Sequence, residues 1–93
     1  MIFRKWKFED VFEIHNIEKQ CFIEPWSFKM LSESFLNDRS IAFVAESENK
    51  VVGYVIATYC LDEAEINRVA VVEDMRKKSI GTSLFRIFAR KSI

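Results

Sequence analysis

The sequence predicts an α+β fold in a single domain spanning residues 1–93, with one strand, two helices, three strands and a last helix in that order. Three observations support this order. Short β-rich runs occupy the middle of the chain, apolar residues recur at helical spacing on either side of them, and turn residues separate the two patterns. A chain of 93 residues that is 49% hydrophobic and 30% charged has room for one modest core and is globular rather than disordered.

The N-terminal residues predict a short strand followed by an amphipathic helix. Residues 2–6 are the strand candidate, and Glu9 or Asp10 is placed to accept the first N–H groups of a helix over residues 10–22. The expected apolar stripe of this helix is Val11, Ile14, Ile17 (or Glu18) and Cys21, and the expected polar face is Glu13, Asn16, Glu18 and Lys19.

A break and a second helix follow. Pro25 disfavours helical geometry at the residue before it, and Ser27 can cap a new helix. The apolar stripe of that helix is Phe28, Leu31 and Phe35. Trp26, an amphipathic ring beside the break, either fills the core or lines a groove.

Two β-rich runs then predict a hairpin. Residues 41–46 and 51–60 are strand candidates, and the polar residues 47–50 between them form the expected loop. Gly53 inside the third strand suggests close approach by another group.

The fourth strand, residues 65–72, has an irregular pattern. Ile66 lies on one parity, whereas Val69 and Val71 lie on the other, so strict alternation would place them on opposite faces. Either helices cover both faces of the sheet, or a β-bulge near residues 67–69 re-aims the strand and leaves amides that could bind an extended, amide-bearing ligand.

A cationic turn over residues 73–82 connects this strand to the last helix, whose expected apolar stripe is Ile80, Leu84, Ile87 and Phe88. The first N–H groups of a helix attract anions, and Gly81 would allow a phosphate to approach closely. Arg76, Lys77 and Lys78 add attraction. The alternative is a plain strand–turn–helix connection with a solvated basic loop, and no G-x-G-x-x-G or G-K-[ST] motif is present.

Composition narrows the functional classes. The formal net charge is zero, so a nucleic-acid-binding domain using the basic C-terminal end is a weaker reading than a charged helix face, and no direct nucleic-acid partner is expected. Cys21 and Cys60 are far apart and accompany one histidine, which predicts no metal site and favours buried free thiols over a disulfide. No leader or apolar membrane span is visible, so we expect a cytoplasmic protein without a membrane partner.

The order of elements, the run Asn67-Arg68-Val69-Ala70-Val71 and the turn Arg76-Lys77-Lys78-Ser79-Ile80-Gly81-Thr82 resemble the GNAT superfamily of acetyl-CoA-dependent N-acetyltransferases. The family turn is Gln/Arg-x-x-Gly-x-Gly/Ala, and Ser79 stands at its first glycine. The stretches Phe22-Ile23-Glu24-Pro25-Trp26-Ser27 and Leu61-Asp62-Glu63-Ala64-Glu65 are similar to the bacterial ribosomal-protein alanine N-acetyltransferases. The resemblance covers about the N-terminal two-thirds of such an enzyme.

The resemblance implies a mostly antiparallel GNAT sheet of about four strands with three helices, without the family's C-terminal strands and helix. It also implies acetyl-CoA as cosubstrate, with backbone groups of Val69, Ala70 and Val71 holding the pantetheine arm. The pyrophosphate would meet the N–H groups of Lys77, Lys78, Ser79, Ile80, Gly81 and Thr82. Glu24, Pro25 and Trp26 would border a groove for a protein N-terminus, such as that of a ribosomal protein.

In the family a neutral amine attacks the thioester directly, so the enzyme supplies positioning, a base and oxyanion stabilisation. The resemblance places the base and the acid beyond Ile93, which implies a catalytically incomplete chain with unknown catalytic residues; Glu65 is a weak substitute base. The alternative is a non-catalytic remnant that binds CoA or a partner. Because strand four would be an open edge, we expect a homodimer through it.

Overall fold

The structure, a computed structural model, describes residues 1–92 and all of their side chains except those of residues 77, 91 and 92. It contains four strands, three helices and one 3₁₀ turn. The strands are β1 (Ile2–Lys5), β2 (Ser40–Ser47), β3 (Lys50–Cys60) and β4 (Glu63–Val71); the helices are α1 (Asp10–Cys21), α2 (Phe28–Leu36) and α3 (Ile80–Ser92); the 3₁₀ turn is Glu73–Lys78. The predicted α+β class is confirmed, with β4 beginning two residues earlier than expected.

The four strands form one antiparallel sheet in the order β1-β2-β3-β4. The predicted hairpin between β2 and β3 is confirmed, because Ser47 pairs with Lys50 across a two-residue turn. Its central residues, Glu48 and Asn49, have φ of 53° and 65°, as a hairpin turn that follows the sheet twist requires. The β4 strand is an edge of the described sheet.

Helices cover both faces of this sheet. The core between the sheet and α1 and α2 includes Ile14, Leu31 and Tyr54, and the core between the sheet and α3 includes Val55, Leu84 and Phe88. The expected apolar stripe of α3 packs against the sheet. Ile80, Leu84 and Phe88 are 2%, 0% and 6% exposed, because β2 and β3 receive them.

The close approach expected at Gly53 is confirmed. A Cβ atom there would lie 3.2 Å from Ala70 O, 3.2 Å from Val71 Cγ2 and 3.3 Å from Ile80 Cγ2. The missing side chain therefore lets the first turn of α3 press against β3 and β4. This contact fixes the start of α3 relative to the end of β4.

The start of α1 differs from the expected cap. Glu9 is the N-cap and its side chain caps nothing, whereas Asp10 accepts the Lys7 N–H at 2.7 Å. The same carboxylate receives Arg4 Nη1 at 2.8 Å and Nη2 at 3.0 Å. Burial works to raise the pKa of Asp10, but the hydrogen bonds from Arg4 and Lys7 outweigh it and hold that pKa below its ordinary value. Asp10 thus ties β1 to α1.

Other expectations had mixed outcomes. Ser27 caps α2 as predicted, accepting the Met30 N–H at 3.1 Å. Both cysteines are free, but neither is fully buried as expected: Cys21 is half-buried, and Cys60 is exposed because it ends β3 at the turn into β4. No helix within residues 1–92 has the length and apolarity to cross a membrane.

Ser79, the residue that follows the 3₁₀ turn, has φ 58° and ψ 27°. This left-handed conformation is easy for glycine and costs other residues about 1–2 kcal/mol. Serine therefore stands in strained geometry where the family pattern has glycine.

Replacing this serine tests the strain. We expect Ser79→Gly to raise the free energy of unfolding by about 0.5–1 kcal/mol, since relief of strain exceeds the entropy that glycine adds to the unfolded chain. Ser83→Gly, inside α3, is the matched control and should lower stability by about 0.5 kcal/mol. Urea unfolding measures both, and a destabilising Ser79→Gly would contradict the interpretation.

A second prediction concerns pH. A carboxylate whose pKa is lowered by folding stabilises the protein above its unfolded pKa, and this contribution is lost as the pH falls through the folded pKa. We expect Asp10→Asn to cost about 2 kcal/mol at neutral pH, the scale of a hydrogen bond to a charged group. The cost should shrink below about pH 4. Urea unfolding from pH 3 to 7 measures it; the exposed Asp62→Asn should show no such trend, and a cost independent of pH would refute the assignment.

Candidate functional site

Of the two alternatives for the irregular pattern of β4, both occur: helices cover both faces of the sheet, and the strand has a bulge at Asn67. Ile56 of β3 pairs with Arg68, but the next residue, Ala57, pairs with Ile66, so Asn67 is the extra residue. Its side chain forms a hydrogen bond with Thr58 Oγ1. The bulge reverses the alternation of the strand. Ile66, Val69 and Val71 therefore all lie toward α3, while Arg68 and Ala70 lie toward α1.

The backbone beyond the bulge presents polar groups to the open edge of β4. Val72 donates its N–H to Val52 O at 2.8 Å, toward β3. Because the N–H and C=O groups of successive strand residues alternate in direction, those of Val69 and Val71 point away from β3. In agreement, the Val71 carbonyl accepts a hydrogen bond from Arg76 Nε at 3.0 Å on that outer side.

Arg76 was expected to add positive charge to the turn, but its guanidinium is bonded to β4 and α1 instead. Its Nε bonds to Val71 O, and its Nη2 lies 3.3 Å from Cys21 Sγ. These contacts occupy the Val71 carbonyl and fold the guanidinium onto the strand. The Val71 N–H and both backbone groups of Val69 face the edge.

The first turn of α3 follows directly at this end of β4. The Ser83 N–H donates to Ser79 O at 3.1 Å. The N–H groups of residues 80–82 come before this hydrogen bond and therefore have no acceptor one turn earlier within α3. The Ile80 side chain is buried, so this residue can offer a ligand only its backbone. A Cβ atom on Gly81 would meet nothing closer than Val71 Cγ2 at 3.9 Å, so the surface there is open. Lys78 is exposed, and the side chain of Lys77 lies outside the described part.

Two clefts flank the C-terminal end of α1. One, of about 310 Å³, is lined by Cys21, Phe22, Val69, Ala70, Val71 and Arg76, and we call it the cofactor cleft after the sequence prediction for its strand residues. The other, of about 670 Å³, is lined by Phe22, Ile23, Glu24, Pro25, Trp26, Met30 and Arg68, and we call it the acceptor cleft after the sequence prediction for its loop residues. Phe22 lines both, so they adjoin. The structure thus brings together the strand residues predicted for the cofactor and the loop residues predicted for the substrate.

A third groove, of about 460 Å³, lies on the opposite face of β4. It is lined by Val55, Ile66, Val69, Gly81, Thr82 and Phe85. Val69 borders both this groove and the cofactor cleft, so the open edge of β4 separates them. Of the turn residues whose side chains are described, Arg76 lines the cofactor cleft, whereas Gly81 and Thr82 line the third groove.

A buried ionic cluster supports the acceptor cleft. Glu18, which is fully buried, accepts Arg68 Nη2 at 3.0 Å and the hydroxyl of Tyr54. It also accepts the Trp26 N–H at 2.8 Å, while Arg68 Nη2 donates to Glu24 O at 3.0 Å. The loop between α1 and α2 is therefore tied by its backbone to a carboxylate in the core.

The electrostatics of the cluster are consistent with these contacts. Burial, and then the neighbouring Glu18 carboxylate, raise the pKa of Tyr54 above its ordinary value, so its hydroxyl remains a donor. The guanidinium of Arg68 lies 3.9 Å from the centre of the Phe22 ring and 5.1 Å from that of Trp26. Cation–π attraction adds to the ion pair.

The sequence reasoning missed this cluster. It left Glu18 open between the apolar stripe and the polar face of α1, and it named neither Arg68 nor Tyr54 as part of a site. A signal was present, because positions 11, 14, 18 and 21 recur at helical spacing and position 18 therefore lies in the buried stripe. Both alternatives given for Trp26 hold, because its ring packs against the core and also lines the acceptor cleft.

The remaining candidates lie elsewhere. Glu65, the weak substitute for a base, lines a separate cleft with Arg39, Thr58 and Glu63 at the far end of β4. Within the described residues, no group of three or more His, Cys, Asp or Glu side chains could hold a metal ion.

Comparisons with known proteins agree with this geometry. The acetyltransferase (GNAT) family matches residues 11–91. The chain is 29% identical over 84 residues to a putative ribosomal protein bS18-alanine N-acetyltransferase of Bacillus subtilis, covering 89% of this chain and 56% of that protein. It is 28% identical over 86 residues to an uncharacterized N-acetyltransferase of Methanocaldococcus jannaschii, covering 92% and 55%.

Solved structures show the same fold. The ribosomal-protein-S18-alanine N-acetyltransferase of Escherichia coli superimposes with a TM-score of 0.90 at 22% identity, over 98% of this chain and 58% of that one. An aminoglycoside 6'-N-acetyltransferase complexed with coenzyme A gives 0.85 at 20% identity, over 99% and 55%. The chain therefore spans about half the length of the relatives it matches. With the family match over most of its length and the GNAT arrangement of its sheet and helices, the chain belongs to the GNAT acetyltransferase family.

Proposed function

We propose that this chain forms the acetyl-CoA-binding and acceptor-binding part of an N-acetyltransferase that acts on the N-terminal amine of a protein. The proposal rests on the arrangement of backbone groups at the C-terminal end of β4. There the outward backbone groups of Val69 and Val71 lead, within ten residues, to the open first turn of α3 at Gly81.

The chemistry of this end suits acetyl-CoA. A pantetheine arm carries amides, which can pair with strand edge groups, and the Val71 N–H and the Val69 backbone face that edge. A pyrophosphate suits helix N–H groups that have no partner within the helix, and Lys78 adds an exposed positive charge nearby. When bound, acetyl-CoA supplies the activated acyl group, and the protein holds that group in position.

The acceptor cleft suits an amine attached to a peptide. Arg68 is compensated by Glu18, so Glu24 is the cleft's remaining charge, and it attracts a single ammonium group. The apolar lining from Ile23 and Met30 suits peptide side chains. The names of the relatives from B. subtilis and E. coli support a ribosomal protein as substrate.

We further propose that the general base lies outside this chain. Glu18 is fully buried and held by Arg68 and Tyr54, and Glu65 lies at the far end of β4. Positioning alone contributes to rate by raising the effective concentration of the amine beside the acyl group. An acetyl-CoA-binding remnant without catalysis is the second candidate, favoured by the burial of Glu18 and by the distance of Glu65 from the acceptor cleft.

Self-association through β4 is part of the proposal. Its edge carries outward backbone groups, and beside it Val69 and Phe85 are 48% and 55% exposed. Unpaired edges and exposed apolar side chains both favour pairing with a second copy. Acetyl-CoA and the second copy would then compete for one edge.

Titration with acetyl-CoA tests the proposed function. We expect heat from binding with a Kd of about 1 μM. Gly81→Asp should weaken it about 30-fold, because a carboxylate beside the pyrophosphate costs about 2 kcal/mol. Gly81→Ala is the control, and it should bind nearly as the unmodified chain does because a Cβ atom has space there.

Two outcomes would contradict the proposal. No binding at millimolar acetyl-CoA would remove the cofactor assignment, and equal affinity in Gly81→Asp would move the pyrophosphate away from α3. An acetyl-transfer assay on peptides tests the external base: transfer by this chain alone would overturn both that proposal and the non-catalytic remnant.

Sedimentation without ligand tests the dimer. We expect a concentration-dependent monomer–dimer equilibrium that Val69→Lys shifts toward monomer, because an edge lysine blocks strand pairing. Leu36→Lys, on an exposed apolar residue at the end of α2, should leave the equilibrium unchanged. A monomer at every concentration would refute association through β4.

A further inference from the structure

The donors of Arg68 are used unequally. Nη2 donates to both Glu18 Oε1 and Glu24 O at 3.0 Å, and Nε is buried without a partner in the described chain. Nη1 donates to no described residue. Unlike Nε, it is not one of the buried atoms without a partner. Because Arg68 lines the acceptor cleft, Nη1 is its accessible donor there.

The guanidinium is also held in one orientation. The fully buried Glu18 carboxylate fixes one edge, and the Phe22 ring lies 3.9 Å from Cζ on one side. The side chain of Arg68 is 18% exposed. A planar fork held in this way offers a donor of fixed direction at little further loss of entropy when a ligand binds.

We propose that Arg68 is a positioning and specificity-determining residue of the acceptor site, whose Nη1 donates to the main-chain carbonyl adjacent to the acceptor amine of a peptide. The inference rests on the proposed function and adds the acceptor group that is recognised. Every peptide N-terminus carries a carbonyl two bonds from its amine. An aminoglycoside presents several ammonium and hydroxyl groups and no such carbonyl.

The charge of the cleft favours the same substrate class. Glu18 compensates Arg68, so Glu24 is the one further charged residue that lines the cleft. One carboxylate matches the single ammonium group of a peptide N-terminus. A polycation would leave most of its charges without a partner.

The conservative variant Arg68→Lys separates this role from a structural one. A lysine ammonium is a single point of charge that Glu18 would hold, so the variant keeps the ion pair and lacks the second arm of the fork. A loosened fold would weaken all ligands alike. Loss of the Nη1 contact would remove only the preference for a carbonyl.

The test uses two acceptors that differ in that carbonyl alone: the ketomethylene and the ethylene isosteres of alanyl-phenylalanine amide. Calorimetry at pH 6, where both amines are protonated, gives each Kd for the unmodified chain and for Arg68→Lys. We expect the unmodified chain to prefer the ketomethylene ligand about tenfold, the scale of one hydrogen bond from a charged group. Arg68→Lys should bind both ligands equally.

Arg39→Lys, an exposed arginine in a separate cleft, is the matched control and should keep the tenfold preference. The urea midpoint of Arg68→Lys confirms that it folds. An equal affinity for the two isosteres in the unmodified chain, an unchanged preference in Arg68→Lys, no binding of either isostere at millimolar concentration, or tighter binding of an aminoglycoside would each overturn the inference. Acetyl-CoA titration of the unmodified chain reports the proposed function separately.

Discussion

The extra residue in β4 is the constraint on which the rest of the structure depends. Without the bulge at Asn67, strict alternation would turn Ile66 to one face of the sheet and Val69 and Val71 to the other. With it, these three apolar side chains share the face that α3 covers, and Arg68 is directed toward α1. The same bulge directs the backbone groups of Val69 and Val71 to the open edge. One local irregularity therefore sets both the packing of α3 and the geometry of the two adjoining clefts.

Arg68 then links the two sides of the site. It starts from the strand that borders the cofactor cleft and ends among residues of the loop that borders the acceptor cleft. An ion pair this deeply buried gives little net stability, because desolvation offsets the attraction. Its consequence is geometric: Glu18 and Arg68 together hold the backbone of Glu24 and Trp26, so the loop shape depends on a carboxylate in the core.

Sequence patterns were informative wherever a local cause dictated the structure. The spacing of apolar residues identified three helices, and Ser27 was recognised as a cap because its hydroxyl serves an N–H only three residues away. The broken parity of β4 indicated either a bulge or helices on both faces, since alternation is a property of the strand alone, and the structure has both. Patterns were weaker where the cause was distant. Glu18 was left undecided between the apolar stripe and the polar face, because its partners, Tyr54 and Arg68, lie 36 and 50 residues further along the chain.

The sequence by itself determined the order of strands and helices, the irregularity in β4 and, through its resemblance, the family, because each follows from neighbouring residues or from a recurring motif. Tertiary structure alone decided that Arg76 turns back onto the Val71 carbonyl, that Ser79 adopts positive φ and that a buried carboxylate organises the acceptor cleft. These features depend on which surfaces meet when α1 and α3 pack on opposite faces of the sheet. The spacing of residues along the chain does not predict which of these surfaces come into contact.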